Sequence, residues 1–573
     1  MSLLFLAGAC ASVIPPQSIG PDVGKRIVAS HGVVAAGNSY ASEAGLEMLR
    51  RGGNAMDAVV ATAFVLGVTE PMMSGLGAGG GLLYWDAKTH HSEYLNFYNA
   101  AGAIPDTALR SLGTTATPRG VGIPGAVRGL LSAHAKYGKL SRGEVIEPAI
   151  RLAADGFTVN ALLSREIAMS VDKLKTSPDA ARLFLPADKP LRAGDHLVQA
   201  ELANTLRRIA SDGPDVFYTG EIGDHIVATL RGSGSTISRQ DFAAYQPRWT
   251  RPVCTTYEGR VILSAAAPQS GLQVIESLNL LSGRNLPSLG LPSRSPDAFR
   301  VLTGALRVAV ADRDAVIGDP DKVGVPMAGI TDEAYAANRI SSIETPVQGR
   351  LQAGNPWSFE RAPSGDCAKM ESIPSSKLGA PAVAGTEASG IMAETTHMSV
   401  VDDEGNAVSV TNTLGLGFGT GTWVDGVFLN SAMFNFARDA NSPNAAGPFR
   451  VPASTIAPTI VLKDGKVEIV VGCPGSLAIP PAIVQTLVYL LDYKLDPLQA
   501  LRMPRMIPSA TVQLRMEDGF AEPVYAEAHR LGYEVAVSPP VDMGFGGVHV
   551  IQRVGSHWVG AADPRRDGEV RGW

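Results

Sequence analysis

Between Ser39 and Arg51 apolar residues recur every three to four positions and stop at Gly52-Gly53, which predicts a helix ended by glycine. Asn54 then offers a cap, with Asp57 three residues on, and the following run is apolar on every side through Val68 until Glu70-Pro71. A helix without a polar face belongs in a core. The glycine-rich stretch from Ser74 to Gly81 leads into the strand-like Leu82-Leu83-Tyr84-Trp85. From about 125 to 380 the pattern is mostly helical, with an alternating segment at Val261-Ile262-Leu263-Ser264 and a helix at about 272–281. Residues 341–390 crowd Pro, Gly and Ser, the composition of an exposed, protease-sensitive linker, and this pattern stops at Glu394-Thr395-Thr396-His397. Beyond it, Met398–Val401 and Ala407–Thr411 alternate on either side of Asp402-Asp403-Glu404-Gly405-Asn406, a β-hairpin signal. With Glu404-Gly405 as a two-residue turn, Asp403 pairs with Asn406 and Thr395 opposes Leu414, which makes Thr413 its neighbour.

The chain has 573 residues, 45% hydrophobic and 18% charged, enough for one or two large cores and too apolar for disorder. A net charge of −6 leaves no basic footprint for nucleic acid or an anionic membrane surface. No apolar run reaches the roughly 18–20 residues that span a bilayer. Residues 1–14 are apolar, and Leu6-Ala7-Gly8-Ala9-Cys10 resembles a lipoprotein cleavage site, but no Lys or Arg precedes it. A truncated signal and a frayed terminus both stay open. Cys10, Cys254, Cys367 and Cys473 show no CxxC or Cys/His spacing, so neither a zinc site nor a disulfide framework is expected. Gly75, Gly77 and Gly80 match GxGxxG, but a helix precedes them and a strand follows, the reverse of a dinucleotide site. Walker A, HExxH and GxSxG patterns are absent, so no metal or cofactor is expected.

The chemistry concentrates where the linker meets the hairpin. A threonine hydroxyl is a weak nucleophile that needs a nearby base. Cleavage between Glu394 and Thr395 frees the Thr395 α-amine, whose ordinary pKa near 7.7–8.0 suits proton transfer at neutral pH. His397 is the rival base in the segment, and with an α-amine at hand a structural role fits it better. The apolar run Val470-Val471-Gly472-Cys473-Pro474-Gly475-Ser476 predicts a buried strand ending in a tight turn before a helix at about 483–491. The backbone amides of Gly475 and Ser476 would point outward there, as oxyanion donors or as an ordinary strand-to-helix turn.

Thr395-Thr396-His397-Met398-Ser399-Val400-Val401-Asp402, Gly405-Asn406-Ala407-Val408 and Thr411-Asn412-Thr413-Leu414 resemble the processing site of the γ-glutamyltransferase (glutathione hydrolase) family. The resemblance extends to Gly52–Ala58, Glu70-Pro71, Ser74–Gly77, Ile123-Pro124-Gly125, Ala154–Phe157, Pro458-Thr459-Ile460 and Ala562–Arg565, covering about 27–567 in order. It implies an α+β N-terminal-nucleophile hydrolase, an αββα sandwich made of two subunits cut from one precursor. A lead-in over 1–26, a large subunit over 27–394 ending in a linker at about 341–394, and a small catalytic subunit over 395–573 follow from it. By motif, Thr395 is the nucleophile for cleavage and catalysis, Thr413 tunes it, and the Gly475 and Ser476 amides form the oxyanion hole, Ser476 standing where the family has a second Gly. Ser454 and Thr455 stand where the family holds the substrate α-carboxylate.

Several positions depart from the family pattern. Tyr98 stands where relatives carry a carboxylate-binding Arg, Gly415 where they carry an amine-binding Asn, Ala432 in place of a Gln, and Asn435 in place of an amine-pairing Asp. Losing such contacts costs several kcal/mol each. The resulting expectation is an amide hydrolase or acyltransferase with a small-molecule substrate and an acyl group that lacks the α-amine, such as a glutaryl chain. Arg450, four residues before Ser454, is a candidate carboxylate clamp or a solvated surface Arg. The competing expectations are a conventional γ-glutamyl transpeptidase or glutathione hydrolase, and a processed but inactive binding protein. Family habit and the apolar start favour the periplasm or the exterior over the cytoplasm.

Overall fold

The computed structural model describes residues 25–106, 117–362, 365–370, 378–379 and 394–573. Residues 1–24 of the lead-in expected over 1–26, and most of residues 363–393, lie outside them.

Alternating segments from both ends of the chain build two antiparallel seven-stranded sheets. The first sheet orders Glu569–Gly572, Val33–Ala36, Glu394–Val401, Ala407–Gly415, Gly79–Asp86, His91–Phe97 and Arg248–Thr250. The second orders Arg26–Ala29, His557–Ala562, His549–Val554, Lys466–Gly472, Thr459–Lys463, Arg260–Ser264 and Val253–Tyr257. The sheets face one another, and hydroxyls join them: Ser399 Oγ donates to the His549 carbonyl at 3.2 Å and Ser409 Oγ to the Val471 carbonyl at 3.0 Å. Helices Ser39–Arg50 and Ala55–Thr69 cover the outer face of the first sheet, and Gly271–Leu281 and Ile479–Leu491 that of the second. This is the expected αββα sandwich.

Local chemistry explains the helices. Asn38 caps Ser39–Arg50 by accepting from the Ala41 amide, and Asn54 and Asp57 form a reciprocal capping box on Ala55–Thr69. That second helix is buried at all but one position, as its uniform apolarity requires. The glycine run serves packing. A Cβ on Gly80 would stand 2.3 Å from the Thr411 carbonyl, and one on Gly81 2.1 Å from the Tyr94 hydroxyl.

Three expectations need correction. Val401 pairs with Ala407 and His397 with Thr411, so the hairpin turn takes in all of Asp402–Asn406, and the register differs by one from a two-residue turn. The Asp402 side chain causes this by accepting from the Asn406 amide at 2.9 Å and from the Ala55 amide at 2.9 Å. Residues 341–362 are docked at intervals, with other residues between them exposed: Ile343, Val347 and Leu351 are buried, and the Val347 and Leu351 amides donate to Leu531 and Ala510. Cys254 and Cys367 form a disulfide with a Cα–Cα distance of 5.6 Å across 113 residues. Only the fold brings them together, since so long a separation carries no spacing signature.

Candidate active site

The corrected register places Thr395 opposite Thr413, at an irregularity between Glu394 and Thr396. Both threonines are buried, and Thr395 Oγ1 donates to Thr413 Oγ1 at 3.2 Å. Thr413 Oγ1 in turn donates to the Glu394 carbonyl at 2.6 Å and accepts from the Gly415 amide at 2.8 Å. The chain is continuous through Glu394–Thr395, so this carbonyl belongs to the bond expected to break. The relay aligns the Thr395 hydroxyl, the Thr413 hydroxyl and the Glu394 carbonyl.

His397 is bonded at both ring nitrogens, to Thr411 Oγ1 at 2.9 Å and Ser399 Oγ at 3.0 Å. Burial, with His549 as neighbour, pushes its pKa well below the ordinary value, so the ring is neutral at physiological pH. These contacts give it a structural place between the sheets.

The strand Lys466–Gly472 ends in the turn that carries Gly475 and Ser476, followed by Ile479–Leu491. Both residues hold positive φ, +127° at Gly475 and +55° at Ser476. Gly547 braces the turn by donating to the Pro474 carbonyl at 3.2 Å. A Cβ on Gly547 would meet the Arg566 side chain at 2.5 Å, and Arg566 Nη1 donates to the Thr395 carbonyl at 3.3 Å. Arg566 thus links the turn to Thr395.

Sequence reasoning passed over Arg566, which lies one residue beyond the Ala562–Arg565 motif. Its neighbours hold it in place: Arg565 Nε donates to Glu517 at 2.7 Å and its Nη1 to Asp563 at 3.2 Å, while Asp563 accepts from the Val548 amide at 3.0 Å. Glu70 was read as a helix end and as part of a family motif, without a place at the site. It is fully buried beside Thr396, Asn38 and Arg566, and burial pushes its carboxyl up to about 7. Its one outward signal was an acid at the end of an apolar helix.

The residues expected to bind substrate divide into two groups. Tyr98, Asn435 and Ser454 meet: Asn435 Nδ2 donates to the Tyr98 hydroxyl at 2.9 Å, and Ser454 hydrogen-bonds that same hydroxyl. Burial pushes the Tyr98 phenol up to about 12, so the cluster is uncharged at neutral pH. Thr455 follows in the chain and is half-buried. A cavity of about 380 Å³ adjoins Tyr98, lined also by Asn96, Tyr245, Arg248 and Val451. Arg450 is held elsewhere. Its Nη1 donates to the Ala445 carbonyl at 2.9 Å and to that of Pro443 at 3.5 Å, contacts that brace a turn. Gly415 has φ +84°, and a Cβ there would meet Ser431 Oγ at 2.4 Å. The space that a side chain at Gly415 would take is therefore filled by Ser431, which also accepts from the Leu416 amide at 2.8 Å.

Comparison with known proteins identifies the family of the chain. The family model described as Gamma-glutamyltranspeptidase matches residues 41–573. The chain is 32% identical to the glutathione hydrolase proenzyme of Bacillus subtilis strain 168, covering 100% of this chain and 97% of that protein. It is also 32% identical to the Acylase ACY 1 proenzyme of Pseudomonas sp. strain SE83, covering 91% and 90%. Among solved structures, cephalosporin acylase from Bacillus halodurans superposes with a TM-score of 0.84 at 26% identity, over 97% of this chain and 99% of that one. The chain belongs to the gamma-glutamyltranspeptidase family, within the N-terminal-nucleophile hydrolases.

Proposed function

We propose that the chain is the precursor of a self-cleaving amide hydrolase whose acyl pocket takes a chain without the γ-glutamyl α-amine, of the glutaryl type. In self-cleavage Thr395 Oγ1 attacks the Glu394 carbonyl carbon, the C–N bond breaks, and the Oγ1 proton passes to the departing nitrogen. Water then splits the ester, leaving a carboxylate on Glu394 and a free amine and hydroxyl on Thr395. In turnover that amine takes the Oγ1 proton, the acyl group transfers to Oγ1, the leaving amine receives the proton, and water completes hydrolysis. The Gly475 and Ser476 amides are the oxyanion donors in this scheme.

The observation that carries the acyl preference is the uncharged Tyr98–Asn435–Ser454 cluster, together with Ser431 in the space over Gly415. A buried ammonium would lack a carboxylate partner there, a loss of several kcal/mol. The full-length similarity to proteins named glutathione hydrolase favours the conventional reading instead. Rates on γ-glutamyl and glutaryl anilides with one leaving group decide between them. A glutaryl preference supports the proposal, and a γ-glutamyl preference replaces it with the conventional one. The Cys254–Cys367 disulfide supports an oxidising location, periplasmic or extracellular. Free thiols at both positions in protein taken directly from its native cell would overturn that placement.

A further inference from the structure

Glu394 supplies the acyl group of the chain's own first reaction, and its side chain shows where a carboxylate can sit beside the nucleophile. Glu394 Oε2 stands 3.5 Å from Arg566 Nη1, the nitrogen that also donates to the Thr395 carbonyl. Counted from the carbonyl carbon that Thr395 attacks, a glutamyl residue carries its carboxylate on the fifth carbon. A glutaryl group does the same. The uncut chain therefore holds a glutaryl skeleton against its own nucleophile, with the far carboxylate at a guanidinium.

The seat is incompletely filled. Glu394 Oε2 and Arg566 Nε are both buried without a hydrogen-bond partner, and the Arg566 side chain is only 6% exposed. Such atoms cost free energy until they are paired. Glu394 is fixed by its place in a strand, whereas a free acyl chain could turn to shorten the 3.5 Å contact with Nη1 to a charge-assisted hydrogen bond. Gly417 leaves room beside the chain, since a Cβ there would stand 3.6 Å from Glu394 Cγ. Glu166, the nearby acid, is paired with Arg165 at 3.1 Å, and Lys173 donates to the Gly417 carbonyl at 2.6 Å. Glu70 also lies in electrostatic reach of Arg566, so a ligand carboxylate would share that guanidinium's field with it.

We propose that Arg566 binds the far carboxylate of the acyl chain in the processed enzyme, in the seat that Glu394 occupies before cleavage. This rests on Thr395 forming the acyl-enzyme. It assigns the carboxylate clamp to Arg566 in preference to Arg450. It also requires Glu394, the new end of the large subunit, to leave the seat before turnover begins.

The test uses purified processed enzyme and anilides of one leaving group. Glutaryl anilide should exceed pentanoyl anilide, which lacks only the carboxylate, by about 100-fold in kcat/KM, and succinyl and adipyl anilides by about tenfold or more. In Arg566→Gln and Arg566→Lys the glutaryl-to-pentanoyl ratio should fall towards one, mainly through KM. A ratio unchanged by either variant overturns the proposal. If both variants remain uncut, the wild-type series decides alone, and equal rates on glutaryl and pentanoyl anilides overturn it. If γ-glutamyl anilide proves the better substrate, the acyl preference proposed above fails separately. Arg566 is then tested with γ-glutamyl against 4-aminobutanoyl anilide, and equal rates there overturn its role.

Discussion

Thr413 serves the uncut chain through two contacts of one hydroxyl, accepting from Thr395 and donating to the Glu394 carbonyl. A donor on that carbonyl stabilises the negative charge that develops on attack. Thr413→Ala should slow self-cleavage by about 10–100-fold, while Thr413→Ser should stay near wild type, as followed by a gel time course. Thr395→Ala should give a single uncut chain without amidase activity; cleavage at the same bond in that variant would show another nucleophile. Ser476 is a second residue with a local cost, because a side chain at φ +55° is strained by roughly 1 kcal/mol. Ser476→Gly should therefore raise the urea midpoint modestly, by up to about 1 kcal/mol of stability. A lower midpoint would mean that the side chain's contacts outweigh the backbone strain.

Between elements, Glu70 is a pH-sensitive group. It ends the helix Ala55–Thr69 and lies against the nucleophile strand at Thr396. A carboxyl raised from 4.5 to about 7 by burial favours the folded state while protonated. Stability should thus fall as pH rises from about 4.5 through 7, by up to roughly 3 kcal/mol from this group. Glu70→Gln should remove that part of the slope in denaturant titrations at pH 5 and pH 8, and an unchanged slope would place its origin elsewhere.

The elements also show what a sequence reveals and what it withholds. The cap at Asn54, the glycine stop at Gly52 and the strand around Lys466–Gly472 are short-range effects, so their signals lie within a few residues. The hairpin was legible as a hairpin, but its register depended on Asp402 bonding Ala55 from another element. The meeting of Thr395 and Thr413 was legible for the same local reason. Arg566 at the Thr395 carbonyl, Ser431 over Gly415 and the Cys254–Cys367 bond are long-range contacts with no local pattern.

At the scale of the whole molecule, the two segments joined at Glu394–Thr395 are interleaved. Glu394–Val401 lies between Val33–Ala36 and Ala407–Gly415, and Ala407–Gly415 borders Gly79–Asp86. Lys466–Gly472 and Thr459–Lys463 lie between His549–Val554 and Arg260–Ser264. After cleavage the two subunits should co-migrate in gel filtration without denaturant and melt in one transition. The disulfide ties Gly365–Lys369, near the end of the large subunit, to the strand Val253–Tyr257. Cys254→Ser should expose this region to limited proteolysis and lower stability by about 2–4 kcal/mol.

Because neighbouring strands come from segments that cleavage separates, cutting is a one-way operation. The uncut chain brings its strands together as an intramolecular event, with short connections such as Asp402–Asn406 and the covalent run through Glu394 keeping them close. Once cut, two polypeptides must find each other and thread alternate strands into both sheets. The Thr395→Ala chain should therefore recover its fold after dilution from denaturant, while the processed protein should not, giving the same final architecture a refolding hysteresis set by whether one bond is intact.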